Sequence, residues 1–201
     1  MTRYDCAMCD EKPYHHGDLR AALLTAAEAE LAERGVEAFS LRSVAKRAGV
    51  SHAAPAHHFG DVTGLLTALA ANGFQDFLTT QHAFEARALK TPKDQLIAAG
   101  LGYIGFARAR PALFKLMFGS QRTDYANAAL GTAAEAAIAH LMTQVKRVGG
   151  TLPQDVTAVW AMAHGLADLI ITGRITAIRD FSEAALQDML TAILERSLPV
   201  A

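Results

Sequence analysis

The stretch Phe39–Phe59, FSLRSVAKRAGVSHAAPAHHF, constrains the fold more than any other, because its spacing predicts two short helices joined by a tight turn. Ser40 precedes a run in which Leu41, Val44, Ala45 and Ala48 fall at helical spacing, while Arg42, Lys46 and Arg47 point elsewhere. That is an amphipathic helix of about two turns. Gly49 stands where the helix must stop and reverse, a position favouring a residue that tolerates positive φ, and Val50 follows as an apolar plug. Ser51 is placed to cap a second helix, and Ala45 is small enough for two helices to cross closely. Pro55, fourth after Ser51, removes at most one intrahelical bond, so a short second helix survives it.

The same stretch holds three cations (Arg42, Lys46, Arg47), three histidines (His52, His57, His58) and no carboxylate. The chain's formal net charge is −1, so setting this +3 aside leaves −4 elsewhere. A local basic patch on a mildly acidic chain suits a phosphate backbone. Three cations on a short helix also fit a merely solvated face; the turn pattern beside them favours DNA.

With 51% hydrophobic and 19% charged residues over 201 positions, the composition supports one or two compact domains with a sizeable core and excludes a disordered chain. No apolar run approaches the roughly 20 residues that cross a bilayer, and the start MTRYDCAMCDEK is polar and acidic. The expectation is a cytoplasmic protein with no membrane partner. Cys6 and Cys9 are the only cysteines, too few for a disulfide framework. Cys6-x2-Cys9 with His15 and His16 downstream lacks the second pair of ligands a zinc site wants, so no metal, redox site or cofactor is expected.

Residues 1–13 lack periodicity and read as a mobile arm whose Arg3 and Lys12 suit a DNA backbone. From 17 to 34, Leu19, Leu23, Ala27 and Leu31 step by four, with Leu24 widening the stripe. Asp18 and Arg34 match the dipole of that helix, and Gly35 ends it. Three helices over 14–60 form the first domain, with Leu23, Ala27, Leu31, Phe39, Leu41, Val44, Val50 and Phe59 as its core.

The segment GVEAFSLRSVAKRAGVSHAAPAHHFGDVTGLL resembles the DNA-binding segment of the tetracycline-repressor (TetR) family, over about residues 17 to 66. The likeness rests on a Ser-capped helix ending Ala-Gly-Val-Ser, then the His-Phe pair and Leu65-Leu66. It implies an all-α, homodimeric transcription regulator, by family default a repressor, with a small-molecule pocket in its C-terminal domain. Two departures stand out. Ala56 and His57 replace a phosphate-touching aromatic and a common Arg, and Val62 and Thr63 stand where a Lys is frequent. Fewer backbone contacts imply weaker binding and a shallower salt dependence.

Residues 61–201 form the second domain, expected to bind ligand and to dimerise. A long helix runs from Asp61 to about Ala88 through Leu65, Leu66, Leu69, Phe74, Phe77 and Leu78. Pro92, Pro111 and Pro153 each open a further helix, Gly119 to Asp124 is a polar loop, 125–148 is an Ala-rich helix closed by Gly149-Gly150, and 182–197 is the last helix. The count is about nine helices and no strand. The last two carry apolar stripes wide enough to pack on each other and on a second copy, which would set two reading heads about 34 to 36 Å apart on palindromic double-stranded DNA. Closing a monomer core is the alternative use of those stripes.

Trp160-x3-His164-Gly165 is similar to the Trp-His-Gly signature of one TetR subgroup. His164 and Asp168, at i and i+4, either anchor a ligand or satisfy each other inside the core. The candidate ligand residues are Phe74, Phe77, Tyr103, Phe106, Phe114, Met117, Phe118, Trp160, His164 and Asp168, suited to a mostly apolar effector. The candidate DNA-facing residues are Lys12, Ser40, Arg42, Lys46, Arg47, Ser51, His52, Ala53, Ala56, His57 and His58. The chain lacks G-x-S-x-G, H-E-x-x-H and a Gly-rich phosphate loop, so no enzyme, and no catalytic residue, is expected. A helical interaction module that has lost DNA binding is the remaining rival.

Overall fold

The computed structural model describes residues 16–196 and 198, and those residues form nine α-helices, one short 3₁₀ turn and no strand. The expected arm with Arg3 and Lys12, and the Cys6, Cys9 and His15 group, lie outside the described residues, as do the side chains of His16 and Asp18. The elements are α1 (His16–Arg34), α2 (Leu41–Ala48), α3 (Ala54–Phe59), α4 (Val62–Arg87), α5 (Pro92–Ala109), α6 (Pro111–Gly119), α7 (Ala128–Arg147), α8 (Pro153–Ile171) and α9 (Glu183–Glu195).

The punctuation is local. Ser40, Asp61, Thr91, Asn127 and Ser182 each accept a first-turn amide at a helix start. Pro92, Pro111 and Pro153 occupy first helical positions, where a missing N–H leaves no bond unmade. The Ala-rich helix starts at Ala128 rather than at 125, because Asn127 takes the amides of Ala129 and Leu130 and the residues before it turn back on Asp124.

Helices α1 to α3 fold as a small head, in which Leu23, Ala27, Leu31, Phe39 and Val44 are buried. Leu41, Val50 and Phe59 pack at its rim, half-buried, and Arg20 of α1 stacks over the Phe59 ring at 5.1 Å. The apolar core does not stop there. It continues through Leu65, Leu66, Leu69 and Phe74 of α4 into Ile104 and Phe106 of α5, Leu113, Leu116 and Met117 of α6, and Leu190 and Leu194 of α9. Helix α4 therefore lies in both halves of the molecule.

Polar ties reinforce that continuity. The Arg110 guanidinium, at the α5–α6 joint, donates to Glu28 of α1 at 2.5 Å and to Asp76 of α4 at 2.6 Å. Both carboxylates push the Arg110 pKa further up. Arg122 donates to the backbone carbonyl of Val36, tying the loop after α6 to the turn after α1.

Candidate nucleic-acid interface and ligand cavity

In the head, the Ser40 hydroxyl accepts from the Ser43 amide at 3.2 Å and donates to the Ser43 hydroxyl at 2.9 Å, so it serves the cap. Gly49, at φ 69°, closes α2: its amide reaches the Lys46 carbonyl and the Val50 amide reaches that of Ala45. A side chain at this φ would be strained.

The second helix departs from the expectation in one respect. Ser51 caps nothing with its side chain; its carbonyl accepts the Ala54 amide in a turn, and α3 begins at Ala54 with Ala53 as its cap residue. Pro55 is the reason. A helix capped by Ser51 would put proline at its fourth position, where an amide is needed, whereas starting at Ala54 puts Pro55 in the first turn. His52 and Ala53 therefore sit in the turn ahead of α3.

Arg42, Lys46, Ser51, His52, Ala53, Ala56 and His57 are all exposed on α2, the turn and α3. His58 is half-buried, edge-on to His57 and tilted against Phe59. Arg47 behaves differently from its two neighbours. Its Nε and one terminal nitrogen donate to Glu30 of α1 at 3.3 and 3.2 Å, and it pairs with Glu33. Glu30 is 2% exposed, and its second oxygen lies 3.3 Å from Arg34 without hydrogen-bond alignment. Hydrogen bonding and charge from Arg47 hold Glu33 below the usual carboxylate range, and the two carboxylates raise Arg47. Arg47 thus stitches α2 to α1 at the surface of the head, its charge paired with both carboxylates. Arg42 and Lys46 are the cations of residues 39–59 with no ion pair to the described residues.

The head joins α4 at close quarters. A Cβ on Gly64 would lie 2.0 Å from the Phe59 carbonyl oxygen, so the end of α3 packs onto a spot that only glycine leaves open. Asp61 caps α4 by accepting from the Gly64 amide at 2.8 Å. Val62 is half-buried and Thr63 exposed in the first turn of α4.

Farther along α4, a cavity of about 280 Å³ opens between α4, α5, α7, α8 and α9. Five of the expected ligand residues line it: Phe74, Phe77, Tyr103, Phe118 and Trp160. Five do not. Phe106, Phe114 and Met117 are buried core, at 2% exposure or less: Phe106 packs on Phe77 and Met117 on Gly73 of α4, while Phe114 packs among Tyr103, Phe118 and His164. His164 and Asp168 lie off the cavity wall. The largest share of the unforeseen lining comes from α7, as Ala134, Ala137, Ile138, His140, Leu141 and Gln144, with Gln81 and Tyr125 adding polar groups. These positions do follow helical spacing in the sequence; that their face borders a void rather than a neighbour is set by packing.

The polar groups around the cavity are engaged with the protein. Gln81 donates to the Ala99 carbonyl at 3.1 Å, Gln144 to Glu85 at 3.0 Å, and Tyr125 to the Met117 carbonyl. Behind the wall, the Trp160 indole N–H donates to the Tyr103 oxygen at 3.3 Å, and that hydroxyl stands 2.7 Å from His164 Nδ1. An indole N–H can only donate, so the Tyr103 oxygen accepts it and keeps its own proton to give to Nδ1 of a neutral His164. In that arrangement His164 carries its proton on Nε2. Burial lowers its pKa in the same sense, opposed by the charge of Asp168, and burial raises that of Tyr103. No helix among the described residues is long and apolar enough to cross a membrane.

These features define an all-helical protein with a helix-turn-helix head on a cavity-bearing body, and sequence comparison assigns the class. Residues 23–69 match the bacterial regulatory proteins of the tetR family, and residues 96–193 match the tetracyclin repressor-like C-terminal domain. A solved protein of unknown function from Rhodococcus sp. RHA1 is 31% identical, with a TM-score of 0.76 over 94% of this chain and 99% of that one. A TetR-like transcriptional regulator from the same organism shares the fold at 18% identity, TM-score 0.66, over 92% and 98% of the two chains. A TetR family regulator from Marinobacter aquaeolei VT8 does so at 18% identity and TM-score 0.68, over 90% and 96%. No curated protein matches the chain by sequence. The chain belongs to the TetR family of transcriptional regulators, whose DNA-binding fold it carries.

Proposed function

We propose that the protein is a ligand-responsive repressor that binds a palindromic operator as a homodimer, in the cytoplasm and without enzymatic activity. The observation that carries this reading is the placement of α4. Its first turn is pinned under the reading helix at Gly64, and its middle supplies Phe74, Phe77 and Gln81 to the cavity wall. A ligand bound there acts on the same rigid rod that orients the head. If its affinity differs between two settings of that rod, it changes the spacing of two paired heads and so the affinity for DNA.

In this reading residues 14–60 act as the DNA-binding unit and 61–201 as the ligand-binding and dimerising unit. Arg42 and Lys46 hold phosphates, with Lys12 adding a third, while His52 and Ala53 meet base edges. The effector is small and mostly apolar, because the polar side chains around the cavity already have protein partners. Dimerisation through the last two helices is supported by exposed small and apolar residues on both: Ala158, Ala161 and Leu169 of α8, and Ala184, Ala185 and Ala192 of α9.

One observation favours a second reading. With Arg47 committed to Glu30 and Ala56 in place of an aromatic, the head has few groups left for phosphate, as an interaction module without DNA would. Selection of bound sites from random duplex DNA at low salt separates the two. Recovery of a palindrome supports the regulator, and no enriched sequence at any salt supports the module.

A further inference from the structure

His82 and Glu85 are three residues apart on α4 and so share a face, and His140 meets them from α7. The His140 ring stands perpendicular to that of His82 at 4.8 Å between centroids, and its Nε2 lies 2.7 Å from Glu85 Oε1. One ligand atom from each of the three falls within 4.8 Å of the others. Glu85 is buried, and Gln144 donates to the same Oε1 at 3.0 Å while accepting from Arg147 at 3.1 Å.

We propose that His82, Glu85 and His140 bind a divalent transition-metal ion, with Zn²⁺ the best match, and so bolt α4 to α7. The donor set decides the class of metal. Two imidazoles and one carboxylate suit zinc and its neighbours, whereas magnesium and calcium require oxygen donors. Zinc bonds of about 2.0 to 2.2 Å place tetrahedral ligand atoms about 3.4 Å apart. Closing the widest gap asks for a side-chain rotation, and His82 is exposed and free to make it. His140 then presents its Nε2 lone pair, with its proton on Nδ1, in place of the hydrogen bond to Glu85. Gln144 and Arg147 already hold the carboxylate in place, as outer partners of a metal ligand do. Three protein ligands leave a fourth position for water.

A plain ion pair between Glu85 and His140 accounts for that contact but gives no role to His82. The test therefore turns on His82, whose loss leaves the Glu85–His140–Gln144 contacts intact. The background is full-length Cys6→Ser/Cys9→Ser protein, which removes the thiol pair near the N-terminus. Zn²⁺ is titrated in competition with a chromophoric chelator, and Co²⁺ is followed by its visible absorption. The expected result is one ion per chain, with affinity falling at least about tenfold in both His82→Ala and His140→Ala. Zn²⁺ should also raise the melting temperature of the parent but not of His82→Ala. Absence of binding, or binding undiminished by His82→Ala, overturns the proposal. No DNA enters the assay, so its failure leaves the regulator reading untouched.

Discussion

Tyr103 of α5 and His164 of α8 stand hydroxyl to ring nitrogen at 2.7 Å, with the single tryptophan, Trp160, donating to the same hydroxyl. A neutral imidazole can accept the hydroxyl proton at Nδ1, and a protonated one cannot. Its folded pKa lies below its ordinary value, chiefly through burial. Between the folded and unfolded values the unfolded chain binds more protons, so stability falls as the pH falls. The contribution is intact above about pH 6.5 and is lost as the pH drops through the folded value. Thermal melts from pH 7.5 to 5.5 should show a steeper acid loss for the native protein than for His164→Gln.

The head's three cations should separate into two behaviours. Arg42→Ala and Lys46→Ala should weaken binding to all DNA sequences about equally, each reducing the slope of log affinity against log salt by about 0.9, at little cost in stability. Arg47→Ala should lower the melting temperature by more than either, because it leaves Glu30 buried without its main partner. His52 or Ala53 substitutions should change which sequence is preferred. Fluorescence anisotropy across a salt series, with melts alongside, reads all of these.

Filling the cavity should remove ligand binding and leave the fold in place. Ala137→Phe projects a ring into the space lined by Phe74, Leu141 and Trp160. A neutral naphthylamine dye titrated into the native protein should quench Trp160 by energy transfer. The variant should bind it at least about tenfold more weakly, since an occupied apolar site loses both volume and contact. Its helical circular dichroism should match that of the native protein.

The pairing surface is tested by charge. Ala161→Arg places a guanidinium on the exposed face of α8, where a monomer tolerates it and a packed second copy does not. Sedimentation velocity should show a dimer for the native protein and a monomer for the variant, with operator affinity falling alongside.

Much of the frame was legible because its signals are short-range. Ser40, Gly49, Asp61, Pro92, Pro111 and Pro153 act on amides within a turn of themselves, and the helices begin and end beside them. What escaped depends on partners distant in sequence. Arg47 looks like its neighbours until α1 brings Glu30 to it from 17 residues upstream. Ser51 looks like a cap until Pro55 moves the helix start. Phe106, Phe114 and Met117 share the chemistry of the cavity wall and differ from it only in which neighbours cover them. His82 and His140 are 58 positions apart, and no periodicity links them.

The shared guanidinium of Arg110 has a consequence for how the molecule comes apart. It holds α1 and α4 at the same joint, beneath a hydrophobic interior that runs unbroken from Leu23 to Leu194. A peptide ending at residue 60 would lose the faces of α4 and α6 that pack against α1 and strand Glu28 without a counterion. The DNA reader is thus no bead on a string: it melts with the rest of the protein, and its posture is inherited from the floor it stands on.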